Sequence, residues 1–478
     1  MAESLKHKAI NAVIWNATQK YGALMIAFVT NIILARILSP NDFGLIGLLS
    51  VFIAVATTIS ESGFSSALIQ RKNVSQVDYC TVFYWNILVS LILVGFLYIS
   101  APLVANYFGK PILCDMLRLQ SIVLVINSFC AVQIARLSKM LKFKILAIRT
   151  IVGTSVASVV GIILAFLGYG VWSLVWQGIT SSLISAILLW SVADWTPSKE
   201  FSWKSFKEMF NFGSLIFISS ISNTIYVNIQ SFFIGKFFSV QDLGYYTQAK
   251  KLETIPVEGT SSVLNQVLFP VYASIADDKI RLIRIIRKNV QLITFITFPL
   301  MAMLIVIAHP TIIILFGDKW EPSVDMFKIL CIMGMFTPLN IANTEIFKSI
   351  GRSDVYLFLQ TLKRLVNLII IIWMMQYGLY PMLWGIALTG IISYILNLIL
   401  THRIVKYSIK EQLSDIFLNL IIAVFVCLID VFVLKYVVDN DSLWIKMFVG
   451  ISVYLILYIV FNYIFNRKPI NILLSIKK

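Results

Sequence analysis

The chain has 478 residues, of which 59% are hydrophobic and only 13% are charged, about half the charged share of ordinary soluble domains. Its 39 Lys and Arg outnumber its 23 Asp and Glu and give a formal net charge of +16. Apolar runs of about 20 residues recur along almost the whole sequence, and they leave no polar stretch long enough for a soluble domain. Because backbone groups in lipid must pair within the segment, the composition predicts an all-α polytopic membrane protein.

The hydropathy pattern predicts fourteen transmembrane spans. In chain order they are 12–35, 43–69, 79–104, 116–135, 146–168, 171–193, 211–235, 243–275, 289–315, 326–347, 355–376, 380–401, 413–434 and 443–465. The first span is too long for a cleavable signal core and lacks a small-residue cleavage site, so we expect it to remain as an anchor. Basic residues concentrate in loops on one side, notably 136–149 and 279–288. The positive-inside rule then predicts a bacterial inner-membrane protein with cytoplasmic N- and C-termini.

The remaining composition argues against other function classes. The positive charge is spread over short loops rather than on a folded module, so we expect contact with membrane lipids and no nucleic acid. The five cysteines have no paired spacing, the three histidines lie far apart, and no catalytic or phosphate-loop motif is present. We therefore expect no metal, no cofactor and no enzyme activity.

The sequence contains an internal duplication. Residues 34–44 return about 200 positions later as residues 234–244, and four further matches follow in the same order. The residues that keep their places are Arg36 and Lys236, Ser39 and Ser239, Asp42 and Asp242, and Gly44 and Gly244. The pattern predicts two six-helix lobes, residues 1–195 and 211–404, related by a pseudo-two-fold axis along the membrane normal. A cytoplasmic amphipathic linker, 196–210, joins them, and residues 405–478 add two further helices and a cytoplasmic tail.

Polar side chains recur at helical spacing inside several spans. Such groups are costly in lipid, so we expect them to line a hydrophilic cavity between the lobes. The predicted substrate-binding residues are Asn16 and Lys20 in span one, Asn223 and Gln230 in span seven, Lys251 in span eight, and Lys363 and Arg364 in span eleven. Glu61 and Glu258 are candidates for H⁺ or Na⁺ coupling. Span five, the counterpart of span eleven, is expected to carry no comparable charge. Snorkelling to the headgroups stays an alternative for the basic side chains.

Residues 34–45 (LARILSPNDFGL) and the later Glu61-Ser62-Gly63 resemble the polysaccharide transporter family. This family includes Wzx-type O-antigen flippases and the colanic acid and teichuronic acid exporters. It belongs to the multidrug/oligosaccharidyl-lipid/polysaccharide exporter superfamily. The resemblance implies two lobes in a V shape around a cavity that opens alternately to each side of the membrane.

The resemblance also implies a substrate. Family members move polyprenyl-pyrophosphate-linked oligosaccharides across the inner membrane for lipopolysaccharide, capsule or exopolysaccharide biosynthesis. Glycan polymerase and chain-length proteins would be partners, and Lys20 is the position that best matches the cavity cations of related lipid flippases. Two alternatives stay open: a cation-coupled multidrug exporter of the same superfamily, and a non-transporting scaffold of a glycan-assembly complex.

Overall fold

The computed structural model describes residues 2–61, 63–436 and 442–476, so Ser62 of the Glu61-Ser62-Gly63 motif lies outside the described residues. Within these ranges the regular secondary structure consists of eighteen α-helices and two short 3-10 turns. The helices are α1 (Ala2–Ile37), α2 (Pro40–Glu61), α3 (Phe64–Gln70), α4 (Gln76–Phe108), α5 (Ile112–Gln120), α6 (Ile122–Lys139), α7 (Phe143–Phe166), α8 (Val171–Ser191), α9 (Trp203–Phe237), α10 (Val240–Ala273), α11 (Lys279–Val306), α12 (Ala308–Phe316), α13 (Ser323–Ser349), α14 (Ser353–Met374), α15 (Leu379–Val405), α16 (Ile409–Tyr436), α17 (Leu443–Phe465) and α18 (Arg467–Ile476).

The helices confirm the all-α polytopic class. Twelve segments of the described chain are long and apolar enough to cross a membrane, and α9, which bends by 53°, supplies a thirteenth. The predicted eighth span corresponds to α10, which has 34 residues but carries several charged side chains and two prolines. Each predicted span coincides with one helix or with two consecutive helices, which agrees with the expected total of about fourteen.

The duplicated motif begins a long helix in each half. The Ser39 amide donates to Asp42 Oδ2 at 2.9 Å, and the Asp42 amide donates to Ser39 Oγ at 3.3 Å. The same reciprocal pair joins Ser239 and Asp242, at 3.2 and 2.9 Å. This capping box satisfies amide donors that a helix N-terminus leaves unpaired, and it explains why serine and aspartate recur at both places.

The glycine of the duplicated motif permits a close helix contact. A Cβ atom on Gly44 would lie 1.7 Å from the carbonyl oxygen of Val240, the first residue of α10. A Cβ atom on Gly244 would lie 1.9 Å from the carbonyl oxygen of Pro40, the first residue of α2. The first turns of α2 and α10 are therefore in direct backbone contact. The contact is symmetric, because the glycine of each helix faces the first residue of the other.

Contacts divide the chain into two compact units, Met1–Gly244 and Tyr245–Lys478. In the first unit α7 packs against α8, α4 against α6, and α6 against α8. In the second unit the corresponding spans pack in the same pairs: α14 with α15, α11 with α13, and α13 with α15. The helix pairing therefore repeats as the duplication predicts, and α9 falls in the first unit. The predicted lobe limits, 1–195 and 211–404, follow the sequence repeat and stay a prediction.

The first part of α9, from Trp203 onward, lies within the predicted linker, 196–210. Met209 is buried, and the Phe206 ring centroid lies 4.4 Å from that of Trp85 in α4. Trp203, one turn before Phe206, is 70% exposed, and its ring centroid lies 5.5 Å from that of Phe206. Met209 and Phe206 thus pack against the core of the first unit, and the Trp203 side chain stays exposed.

Candidate functional site

The predicted polar residues of the first span lie on one exposed face of α1. Asn16 and Lys20 are one turn apart and both exposed. The adjoining side of α1 packs against α7, where Gln19 Nε2 donates to Thr150 Oγ1 at 3.0 Å. The contact with α7 therefore fixes the rotation of α1, and it leaves Asn16 and Lys20 exposed beside it.

On α9 the predicted residues differ in exposure. Asn223 is exposed, whereas Gln230, two turns later, is half-buried. On the same helix Thr224 Oγ1 lies 2.9 Å from Thr58 Oγ1 of α2, so the contact with α2 is itself partly polar. Both predicted residues belong to the first unit.

The α10 helix carries charge on two faces. Lys251 and Glu258 are exposed and two turns apart. Glu253, on another face, is 1% exposed and its Oε2 accepts a hydrogen bond from Lys250 Nζ at 2.7 Å. A Cβ atom on Gly334 of α13 would come within 2.9 Å of Glu253 Oε1, so the glycine makes room for this carboxylate. The sequence interpretation missed Glu253 because it followed only the stripe through Lys251 and Glu258.

In α14 the two predicted cations occupy different environments. Lys363 is 7% exposed, and its Nζ donates to Asn397 Oδ1 of α15 at 2.9 Å. Asn397 Nδ2 in turn donates to Asn340 Oδ1 of α13 at 2.7 Å. The neighbouring Arg364 is half-buried. Lys363 is therefore held in a polar network inside the second unit. The sequence signal for this network is one asparagine in each of two spans, Asn340 in span ten and Asn397 in span twelve.

Glu61 lines a polar cavity of about 360 Å³ inside the first unit. Arg149 and Asn86 share this cavity with several hydroxyl groups. Asn86 is 1% exposed and neither of its amide atoms has a hydrogen-bond partner in the described part of the chain; the same holds for Nε and Nη1 of Arg149. Unpaired buried polar groups are costly, so the cavity is suited to hold water or an ion. Glu61 and Arg149 thus place opposite charges on the lining of one cavity.

The position of Arg149 corrects one expectation. Span five was predicted to carry no charge comparable to that of span eleven, and this is wrong because Arg149 lies inside α7, nearly two turns from its start. The residue also forms the end of the basic stretch 136–149, which made it resemble a loop cation.

An ionic cluster joins α16 to α11 within the second unit. Asp415, on α16, accepts hydrogen bonds from Arg287 Nε at 2.8 Å and from the Tyr407 hydroxyl. Burial and the hydrogen bond to Asp415 raise the pKa of Tyr407, so its hydroxyl keeps its proton and acts as the donor.

In the described residues no group of three His, Cys, Asp or Glu side chains is arranged to hold a metal ion.

Comparison with known sequences identifies relatives over most of the chain. A family model described as polysaccharide biosynthesis protein matches residues 33–325. The succinoglycan biosynthesis transport protein ExoT of Rhizobium meliloti is 27% identical over 325 residues, which are 68% of this chain and 66% of ExoT, just under two thirds of its length. The lipopolysaccharide biosynthesis protein WzxC of Escherichia coli is 23% identical over 423 residues, 87% of this chain and 85% of WzxC.

Comparison with solved structures supports the fold. The lipid II flippase MurJ in an inward closed conformation has a TM-score of 0.75 at 18% identity, covering 96% of this chain and all of MurJ. An inward-facing multidrug resistance MATE family transporter has a TM-score of 0.62 at 16% identity, covering 84% of this chain and 99% of that transporter. At these identities the likeness speaks for the fold alone.

Proposed function

The chain belongs to the polysaccharide biosynthesis protein family, and from this premise we propose that it is a lipid-linked oligosaccharide flippase. It would move polyprenyl-pyrophosphate-linked repeat units across the bacterial inner membrane by alternating access. The observation that carries the proposal is the similarity to WzxC, which extends over 87% of this chain. Glycan polymerase and chain-length proteins are the partners that such a role would require.

The polar faces of the helices suit the transport of a hydrophilic headgroup across the membrane. A sugar hydroxyl costs several kcal/mol to bury unpaired in hydrocarbon, and an oligosaccharide carries many. Exposed polar groups on membrane-length helices, such as Asn16 and Lys20 on α1, offer a path along which the headgroup stays solvated while the lipid tail remains in the bilayer. Lys20, Lys251 and Arg364 would attract the pyrophosphate, and Lys363 would follow if its bond to Asn397 opens.

The driving force is part of the proposal. An anionic headgroup that leaves a negative-inside cell gains about 2.3 kcal/mol per charge per 100 mV. Glu61 and Glu258 are the candidates for additional H⁺ or Na⁺ coupling. The cavity around Glu61 supports the first of them, because a carboxylate that lines a polar cavity can exchange a proton with water there.

A cation-coupled multidrug exporter is the second candidate. Its support is the MATE-like fold, with a TM-score of 0.62 against 0.75 for MurJ. The mixture of cations and amides on α1, α9 and α14 favours a phosphorylated glycan, since a drug exporter would be expected to present a more apolar and acidic surface. A scaffold without transport would not need polar faces inside its helices.

The test uses cells that lack the native gene and are complemented with variants. A triple neutral variant at Lys20, Lys363 and Arg364 should stop glycan export and accumulate the lipid-linked oligosaccharide on the cytoplasmic face, with protein level and membrane insertion unchanged. Lys20→Arg and Arg364→Lys should retain much of the export, since an aqueous path needs positive charge more than fixed bidentate geometry. Full export by the triple variant would refute the role of these cations.

A further inference from the structure

A cleft of about 710 Å³ opens on the first unit, and its lining includes none of the predicted substrate-binding or ion-coupling residues. It is formed by the α3–α4 loop, the end of α6 and the start of α9. These three segments follow spans two, four and six, so they lie on the same side of the membrane, where the basic loops concentrate. Its basic side chains are Arg71, Lys72, Lys139 and Lys204, and its acidic side chains are Asp78 and Glu208.

Both carboxylates of this cleft are already engaged by one arginine. Arg71 Nη2 lies 3.1 Å from Glu208 Oε2, and Arg71 Nη1 lies 3.6 Å from Asp78 Oδ1. Asp78 also caps α4, where it accepts a hydrogen bond from the Ser75 amide at 2.9 Å. Lys139 Nζ donates to the carbonyl oxygens of Leu68 and Arg71. The positive charges of Arg71 and Lys139 therefore balance the negative charges of Asp78 and Glu208.

Two further lysines line the cleft. Lys72 and Lys204 are both exposed, and within the described residues neither makes an ion pair or a hydrogen bond. They approach the cleft from different elements, the α3–α4 loop and the first turn of α9. Two ammonium groups on one polar cleft, whose two lining carboxylates are both paired with Arg71, are complementary to a phosphate with one or two negative charges.

Exposed apolar side chains adjoin the cleft. Met140 lines it and is 46% exposed, and Trp203, next to Lys204, is 70% exposed. Leu141, the sequence neighbour of Met140, is 44% exposed. Aromatic and long apolar side chains at a membrane surface lie at the headgroup level, with acyl chains below them. The ligand that suits both the lysines and these exposed apolar neighbours is therefore a phosphate carried by a lipid.

We propose that this basic cleft binds the phosphate or pyrophosphate headgroup of a membrane lipid. Two sources share this chemistry: an anionic phospholipid of the surrounding leaflet, and a polyprenyl pyrophosphate. The first is independent of glycan transport. The second rests on the proposed function and would make the cleft a loading site on the face where the substrate is made.

The experiment compares two double variants of the purified full-length protein. Lys72→Gln with Lys204→Gln removes the two unengaged cations of the cleft. Lys199→Gln with Lys207→Gln removes the same charge from exposed lysines of the adjoining segment that do not line the cleft. Retention of phosphatidylglycerol and of undecaprenyl pyrophosphate is titrated by native mass spectrometry, with phosphatidylcholine as the neutral-headgroup control. Thermal melting of both variants without added lipid verifies that they are folded.

We expect the cleft variant to bind at least one of the two anionic lipids about tenfold more weakly, and the control variant to bind both like the wild type. The lipid whose affinity falls identifies the source, and a loss for both means that the cleft recognises the phosphate alone. Equal losses in the two variants would mean a diffuse surface charge and would overturn the proposal. Unchanged affinity in the cleft variant would overturn it as well. Loss of phosphatidylglycerol binding alone would leave the cleft intact as a site even if the chain proved not to transport a glycan.

Discussion

Replacing Gly44 with alanine tests the contact between the first turns of α2 and α10. The added Cβ would lie 1.7 Å from the Val240 carbonyl oxygen and 2.7 Å from its carbonyl carbon. Both obstacles are main-chain atoms that no side-chain rotation can move, so the helices must separate by roughly 1.5 Å to restore van der Waals contact. Overpacking of this kind costs about 1–3 kcal/mol.

The duplication makes the prediction stronger, because Gly244→Ala should have the same effect. Its Cβ would lie 1.9 Å from the Pro40 carbonyl oxygen. The matched control is Gly95→Ala in α4, where no atom of the described residues lies within 4 Å of the new Cβ. Since alanine is the better helix former, the control should be neutral or more stable by about 0.5–1 kcal/mol.

The assay is thermal melting of the purified variants in one detergent, followed by measurement of glycan export in cells. Gly44→Ala and Gly244→Ala should melt at lower temperature than the wild type, and Gly95→Ala should not. If either motif glycine tolerates alanine as well as Gly95 does, the close backbone contact does not exist in the protein, and the physical reason given for the recurrence of glycine is wrong.

Three further predictions concern other parts of the chain. Asp415→Ala removes the buried acceptor that Arg287 and the Tyr407 hydroxyl share and should lower the unfolding free energy by about 1–3 kcal/mol in thermal melting. Glu411→Ala, at a half-exposed partner of the same arginine, should cost less than about 1 kcal/mol. Glu258→Gln should slow export and change its dependence on pH or sodium if this carboxylate couples the ion; an unchanged dependence would remove it as a candidate. Reporter fusions at residues 140–142 and 277–278 should read cytoplasmic and fusions at Lys110 and Asp318 external, and a cytoplasmic signal at Lys110 would reverse the orientation.

Hydropathy and local motifs were sufficient to predict the class and the span positions. A run of about 20 apolar residues has few alternatives to a membrane helix. The Ser39 and Asp42 pair, with its copy 200 residues later, likewise encodes a local structure, because a capping box depends only on neighbouring backbone amides. Such features need no knowledge of which helices pack together.

The environment of each polar residue could not be predicted in the same way. Helical spacing places Lys363 and Arg364 about 100° apart on α14, but only packing against α13 and α15 decides that Lys363 is the one that meets Asn397. The environments of Glu253 and Arg149 likewise depend on residues that are distant in sequence, Gly334 for Glu253 and the cavity shared with Asn86 for Arg149. The sequence thus indicates which residues are costly in lipid, and the tertiary structure determines what compensates them.

The most direct test of the central proposal is to locate the lipid-linked oligosaccharide in cells with and without this gene. Accessibility of the glycan to a membrane-impermeant lectin or oxidant is measured in intact spheroplasts and in inverted vesicles of the two strains. We predict that deletion moves the lipid-linked glycan to the cytoplasmic leaflet, that the intact gene restores its external exposure, and that sensitivity to cationic drugs stays unchanged. Unaltered external exposure of the glycan in the deletion strain, together with increased drug sensitivity, would contradict the flippase assignment and favour the multidrug exporter.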